Sequence, residues 1–399
     1  MTLRTRSLAR RAIAAAATLT VLAAPLAVTA PGAQAAEARA GTARPALKVM
    51  TRNLYLGADI MRPIAAIQGK TGTALLGALA TATDTTRDIV DKTDYWTRSK
   101  LLAQEIATRK PDLVGLQEVA LWRHGPLELA LVGVPNATTV DIDFLSTLRT
   151  RLKALGVPYR PVSVNWLSDV EAPAFSASPT SADARDVRLT MRDVILKRVG
   201  ADVKVLDHQE AKYTAAIPIT IAGQALDFSR GYQWIDAQRG NHTFRFINTH
   251  LEAFSTDIAY AQAKQMLEGP GAYPGDTIIV CDCNSDPLNQ TVKTSIGDTL
   301  PHSAPYWLIT GPGGFNDTWL QWRPAASGWT SGLTETVKDA TAAKFDHRID
   351  MVFARTGDGR RLRAVYGAVT GNTVASKDPV TGLWPSDHAG VLMRLRGLS

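Results

Sequence analysis

The sequence predicts an α+β sandwich, and three observations carry that reading. Short segments with the two-residue alternation of strands recur along the whole chain, several are separated only by a hairpin's length, and few amphipathic helices fall between them. A regular strand–helix–strand alternation, which would signal a parallel sheet, is not the pattern. The chain has 399 residues, 45% hydrophobic and 20% charged. That excludes a disordered, collagen-like or polytopic membrane protein and allows one large core.

The elements follow in chain order. Arg4, Arg6, Arg10 and Arg11 precede an apolar, alanine-rich run ending near Thr29, and Ala33-Gln34-Ala35 offers a small-x-small cleavage site. Residues 1–35 therefore read as a signal peptide, which implies a secreted protein, and 36–45 as a disordered mature terminus. Much of the net charge of +7 belongs to that leader, so overall charge does not select a partner.

Leu47–Asn53 alternates as a strand. Residues 57–96 look like an insertion with helical stretches. Ser99–Lys110 reads as an amphipathic helix stopped by Pro111, and Asp112–Glu118 as a short strand ending in a carboxylate. Leu145–Leu155 predicts a second helix. Residues 165–187, rich in Ser, Ala, Pro and Asp, predict a surface loop within a second insertion spanning about 123–187. Strands are expected at 187–198, 231–237, 243–250, 277–284, 348–354 and 390–395, with a hairpin turn at Gly240-Asn241. One catalytic domain over 46–399 accounts for these elements.

Chemistry gathers at strand ends. In Thr277–Asn284 the strand period puts Ile278, Val280, Asp282 and Asn284 on one face and Ile279, Cys281 and Cys283 on the other. Asp282 there suits a metal ligand or a base, and Asn284 a donor to a phosphoryl oxygen; an Asx turn through Asn284 and Asp286 is the plain alternative. The two cysteines are expected to stay buried thiols, because a partner two positions away is badly placed for bridging in an extended strand. In Thr243–His250 the same period delivers His250 to a strand terminus, either as a functional group or as a hydrogen-bonded structural histidine.

Glu118 and Asn53 end two further strands, and such carboxylate and amide oxygens suit Mg²⁺ or Mn²⁺. Near the C-terminus, Asp350 lies opposite the buried face of its strand and His388 precedes the last one. A carboxylate that orients an imidazole makes it a useful base, so Asp350 with His388 is the preferred pair and Asp346 with His347 the rival.

Taken in order, Asn53, Gln117-Glu118, Asn248-Thr-His250, Asp282-x-Asn284, Asp317-Thr-Trp319, Arg348-Ile-Asp350 and Ser386-Asp-His388 resemble the endonuclease/exonuclease/phosphatase superfamily of DNase I-like proteins. The resemblance spans about 46–396 through seven short islands. It implies a four-layer α/β/β/α sandwich and Mg²⁺-dependent phosphoester hydrolysis. By position, Glu118 would be the principal metal ligand, with Asn53 and Asp387. Asp282 and Asn284 would position water and phosphoryl group, His388 oriented by Asp350 would act as base or phosphate donor, and His250 would stand on the leaving-group or phosphate side. The family's usual Gly-Asp-Phe-Asn is replaced by Cys281-Asp-Cys-Asn284. Asp193 stands where relatives often carry a small or amide residue.

The expected function is a secreted, metal-dependent phosphoric ester hydrolase acting on a phosphodiester, in nucleic acid or a phospholipid head group. It needs no obligate protein partner and works as a monomer. The alternatives are a binding module on the same fold without catalysis and a phosphomonoesterase acting on phosphoinositide-like substrates. Trp319, Trp322 and Trp329 are read as core residues in preference to a base-stacking or lipid-dipping set.

Overall fold

The computed structural model describes residues 46–221, 223–358 and 362–397. The expected signal peptide, cleavage site and disordered terminus lie outside them. Residues from Ala46 onward form one compact unit.

Two sheets are the centre of the fold. From edge to edge the first runs β15 (Arg363–Thr370), β16 (Gly390–Arg396), β1 (Leu47–Asn53), β2 (Leu113–Gln117), β6 (Arg185–Arg198), β3 (Leu121–Gly125) and β4 (Thr139–Asp143), with β5 (Tyr159–Ala174) also paired along β6. The second runs β13 (Asn316–Asp317), β14 (Asp350–Arg355), β12 (Asp276–Asp282), β11 (His242–His250), β10 (Gly231–Arg239) and β7 (Lys204–Lys212). A small hairpin, β8 (Ile219–Ile221) with β9 (Gln224–Leu226), stands apart. β10 and β11 turn at Gly240-Asn241, as the sequence predicts.

Period-two geometry sorts the side chains into layers. Leu47, Val49 and Leu113 of the first sheet meet Phe244, Phe246, Ile278, Val280 and Val352 of the second, forming the central core. Met50, Val114 and Leu116 point the other way. They pack under α3 (Tyr95–Arg109) and α4 (Phe144–Ala154), while α1 (Arg62–Ala66) and α2 (Gly72–Lys92) fill the insertion before them. On the far side, Ile247, Ile279 and Phe353 pack under α5 (Thr256–Glu268) and α6 (Ala304–Thr310), and α7 (Thr318–Trp322) follows β13. The result is the four-layer α/β/β/α sandwich.

Both helices over the first sheet start at side-chain caps: Asp94 accepts the Thr97 N–H, and Asp143 accepts those of Leu145 and Ser146.

Gly115 permits the close approach of the sheets. A Cβ built there would lie 2.4 Å from both Asn248 Oδ1 and Val280 Cγ2, so no larger residue fits without moving the second sheet. Into the space left by it Asn248 reaches across, donating to Leu116 O at 3.1 Å and accepting from Gln117 Nε2 at 2.7 Å.

Two expectations are corrected. Residues 165–187 are not a loop throughout, because β5 runs on to Ala174 and pairs with β6 nearly along its length. Its buried face carries Ser163 and Asn165 where a core strand usually carries aliphatics. Their polar atoms are satisfied by the second sheet, Ser163 Oγ donating to Glu210 and Asn165 Nδ2 to Ala211 O and Tyr232 O. The second correction concerns Cys281 and Cys283, which are joined as a disulfide with their Cα atoms 5.1 Å apart. An extended strand would hold residues i and i+2 about 6.6 Å apart. Here the strand ends at Asp282 and the chain bends, with Asn284 at φ 43°. Both sulfurs still face away from Asp282, among the side chains under α5 and α6.

Candidate active site

The inner faces of the two sheets change character along their length. At depth they are aliphatic and aromatic. Next come Thr51, Gln117 and Asn248, bonded to one another, and at the strand ends Asn53, His250, Asp282 and Asp350. Register makes this a place and not a scatter. Parallel pairing sets Asn53 beside Gln117, just before Glu118, and His250 beside Asp282, while antiparallel pairing sets Asp282 beside Asp350.

Asp350 and His388 meet directly, Oδ2 to Nδ1 at 2.9 Å, both buried. The same ring nitrogen lies 3.6 Å from Asp282 Oδ2. Burial alone would lower the imidazole's pKa, but Asp350, then Asp282 and Asp387, outweigh it and hold it well above the usual value. The rival pair, His347 with Asp346, is in contact too, yet both side chains are about half exposed on a loop.

Asp282 accepts from Asn53 Nδ2 at 2.9 Å on Oδ2 and from the Asn284 N–H at 3.2 Å on Oδ1. Burial, reinforced by Asp350 and Glu118 and opposed by His388, pushes its carboxyl up to about 7. Asn284 donates its side-chain amide to Leu251 O at 3.0 Å. Asn53 Oδ1 accepts the Tyr55 N–H at 2.8 Å, so this amide ties the loop after β1 to Asp282.

Glu118 stands one residue beyond β2 with φ 54°, and its Oε2 accepts the Leu56 N–H at 2.8 Å. Asp387 is pushed up to about 6, by burial first, with Glu118 and Asp350 adding to it and His388 and Arg98 opposing.

These groups share one cleft of about 290 Å³, which Glu118, His250, Asp282, Asn284, Asp387 and His388 all line. Asn53 and Asp350 lie behind Asp282 and His388 through the bonds given above.

The loops that carry these groups are pinned by buried arginines that have no mark in the sequence. Arg98, on α3, donates to the carbonyls of Thr93, Leu54, Tyr55 and Pro385, and Arg52 donates to His388 O at 2.5 Å while pairing with Glu105 at 3.1 Å. Ser386 Oγ donates to Asn53 O at 2.9 Å, closing the join between the last loop and β1.

Arg230 is the cleft-lining side chain that sequence reasoning misses. Its Nη1 lies 2.9 Å from His250 Nδ1 and 3.2 Å from Nε2, and its Nε lies 3.8 Å from buried Glu252. Burial, then Arg230 and His388, drive the His250 pKa well below its usual value, so this ring is neutral. A signal for Arg230 was present: counting back from the Gly240-Asn241 turn sets Gly231 opposite His250, which places residue 230 at the same sheet end.

A divalent cation fits the donor set. Glu118 and Asp387 supply hard oxygens in the cleft wall, with the Asn53 amide behind them, and burial first, then the neighbouring acids, raises the pKa values of Asp387 and Asp282. Asp193, buried beside Glu118 and Arg230, adds two carboxylate oxygens without hydrogen-bond partners, and burial pushes it up to about 8. A second grouping, Asp282, Asp350 and His388, has donor atoms all within 4.8 Å of one another. There the ring nitrogen is engaged by Asp350, which suits a hydrogen-bonded dyad better than a metal nest.

No family model matches the chain, and neither does any curated protein. Solved structures do. TDP2 of D. rerio complexed with a single-strand DNA product aligns over 88% of this chain and 99% of its own at 15% identity, TM-score 0.47. A mannosyl-6-phosphatase of Bacteroides thetaiotaomicron aligns over 88% and 100% at 15% identity, TM-score 0.49. An endonuclease/exonuclease/phosphatase from Beutenbergia cavernae aligns over 88% and 72% at 19% identity, TM-score 0.48.

Proposed function

We propose that this chain is a secreted, Mg²⁺-dependent phosphodiesterase of the endonuclease/exonuclease/phosphatase type. The observation behind this reading is the shared cleft: an oxygen-rich end at Glu118 and Asp387, an acid near neutrality at Asp282, and a charged imidazole at His388. Mn²⁺ would suit the same oxygens. The Cys281–Cys283 disulfide supports an oxidising compartment, in keeping with the leader.

Asn53, Glu118 and Asp387 would hold the cation. When bound it neutralises charge on the phosphoryl oxygens and orients the ester. Asp282, with a pKa of about 7, accepts the proton of the attacking water. The water oxygen bonds to phosphorus as the bond to the leaving oxygen breaks. His388, held protonated by Asp350, donates to a non-bridging oxygen, so the phosphate-donor role is favoured over the base role. Neutral His250, with Arg230 against it, serves the phosphate or leaving-group side.

The test is turnover of bis(p-nitrophenyl) phosphate with Mg²⁺ or Mn²⁺. Chelator-sensitive hydrolysis is expected, and Asp282→Ala should lose roughly two orders of magnitude or more in turnover while staying folded. No rate above blank would favour the binding module; hydrolysis only of p-nitrophenyl phosphate would favour the monoesterase.

A further inference from the structure

Beside the cleft lies a second, smaller cavity of about 70 Å³, room for a few methylenes, whose walls the phosphoester chemistry does not use. Ile60 and Leu79 come from the insertion that holds α1 and α2, Trp122 and Val187 from the first sheet, and Leu226 and Phe228 from the β8–β9 hairpin and the segment after it. Three polar residues also line it, and each is bonded within the protein. Thr83 and Thr86 donate their hydroxyls to Leu79 O and Ala82 O within α2, and Glu171 Oε2 accepts the N–H groups of Asn136 and Ala137. The face offered to a guest is therefore hydrocarbon.

The two cavities are neighbours. Ile60 lines both. Phe254, in the wall of the cleft, packs against Phe228, in the wall of the apolar cavity, with ring centroids 6.4 Å apart. Arg230 follows Phe228 by two residues, so one short segment serves both.

We infer that the apolar cavity is a subsite for an alkyl chain carried on the substrate's own ester oxygen, so that the enzyme takes alkyl phosphoesters. This rests on the phosphodiesterase reading for the position of the phosphate and adds the identity of the group beside it. A nucleobase or sugar in the same place would need several hydrogen-bond partners, and the lining, apolar but for Thr83, Thr86 and Glu171, is poor in them. An alkyl chain needs only removal from water, which is worth about fourfold in affinity for each methylene buried.

The experiment is calorimetric titration of the full chain, in Mg²⁺, with octyl phosphate and with methyl phosphate. Octyl phosphate should bind at least about 30-fold tighter, an allowance for burying only part of the chain. Ile64→Trp and Ala172→Phe, which fill the cavity from different walls and touch no proposed catalytic group, should cut that ratio to below about fivefold and leave methyl phosphate unchanged. Equal affinities in the wild type, binding of neither ligand, or a preference that persists in either folded variant would overturn the subsite. Turnover of p-nitrophenyl methyl phosphate is read separately. Its absence alongside a chain-length preference would sink the phosphodiesterase reading and spare the subsite, and its presence without that preference would do the reverse.

Discussion

Replacing Asp350 by Asn changes a charge and almost no volume, which makes it the sharpest probe of the proposed dyad. In the wild type the 2.9 Å contact joins a carboxylate to an imidazole, and Asp350 is the largest influence holding that ring protonated. A charge-assisted hydrogen bond is worth roughly 1.5–3 kcal/mol and a neutral one about 1, so weakening the bond alone costs about tenfold in rate. The amide brings a second loss. Asp350 Oδ1 has no partner in the structure, so nothing fixes which way the new amide faces, and His388 loses both its orientation and its proton. Together these predict a fall in kcat of roughly 10²–10³ with little change in KM. Hydrolysis of bis(p-nitrophenyl) phosphate measures it, with circular dichroism as the folding control and Asp346→Asn as the charge control on the exposed rival pair. A folded Asp350→Asn enzyme within about threefold of wild type, or equal damage from Asp346→Asn, would show that His388 does not work through Asp350.

Three further outcomes are expected. Mg²⁺ at about 100 times its dissociation constant should stabilise the fold by roughly 2.7 kcal/mol, a rise of a few degrees in Tm by scanning fluorimetry, and Glu118→Gln should abolish that rise; an unchanged shift in the variant would move the cation elsewhere. Arg230→Lys keeps the charge but loses the planar guanidinium set against His250, and should lower kcat/KM by about tenfold, with Arg230→Ala lower still; wild-type values would leave Arg230 a structural ion-pair partner of Glu252. His302 accepts the Asp286 N–H on Nδ1 at 3.0 Å, and burial, helped by Lys293, lowers its pKa. Its contribution is therefore present above the unfolded value of 6.5 and lost as pH falls below it. Between about pH 7.5 and 5.5, urea midpoints should drop more in the wild type than in His302→Gln, and parallel drops would refute the assignment.

Much of this was legible in the sequence because strand period is a strong signal where one face is aliphatic. Phe244 to His250 and Ile278 to Asp282 show their inner face turning from apolar to polar without any structure, and that turn is where the cleft lies. The signal fails where burial is achieved with polar side chains. β5 hides Ser163 and Asn165 in bonds to the second sheet, so its composition imitates a loop. The same limit covers Arg98, whose value is four backbone carbonyls gathered by folding, and Arg52, which joins the His388 carbonyl to Glu105. The disulfide escaped for a different reason. Strand arithmetic assumes that the strand continues, and here it stops at Asp282, with the second cysteine already on the bend.

The two histidines of the cleft show why residue type alone does not assign a role. Both are almost fully buried, and burial by itself lowers the pKa of each. Beyond that they part. His388 has Asp350 at 2.9 Å and Asp282 at 3.6 Å, and the carboxylates overcome desolvation. His250 also reaches Asp282, at 3.5 Å, but Arg230 lies closer, and the guanidinium adds to desolvation where Asp350 opposes it. Within one cleft, burial and Arg230 thus favour the neutral ring at His250, while Asp350 and Asp282 favour the protonated ring at His388. In the proposed phosphoryl transfer a positive donor is needed where charge collects on the non-bridging oxygens, and of the two rings His388 is the one suited to it. On His250's side the positive charge belongs to Arg230. A substitution there should therefore mimic loss of His250's function more closely than any change at Asp350 does.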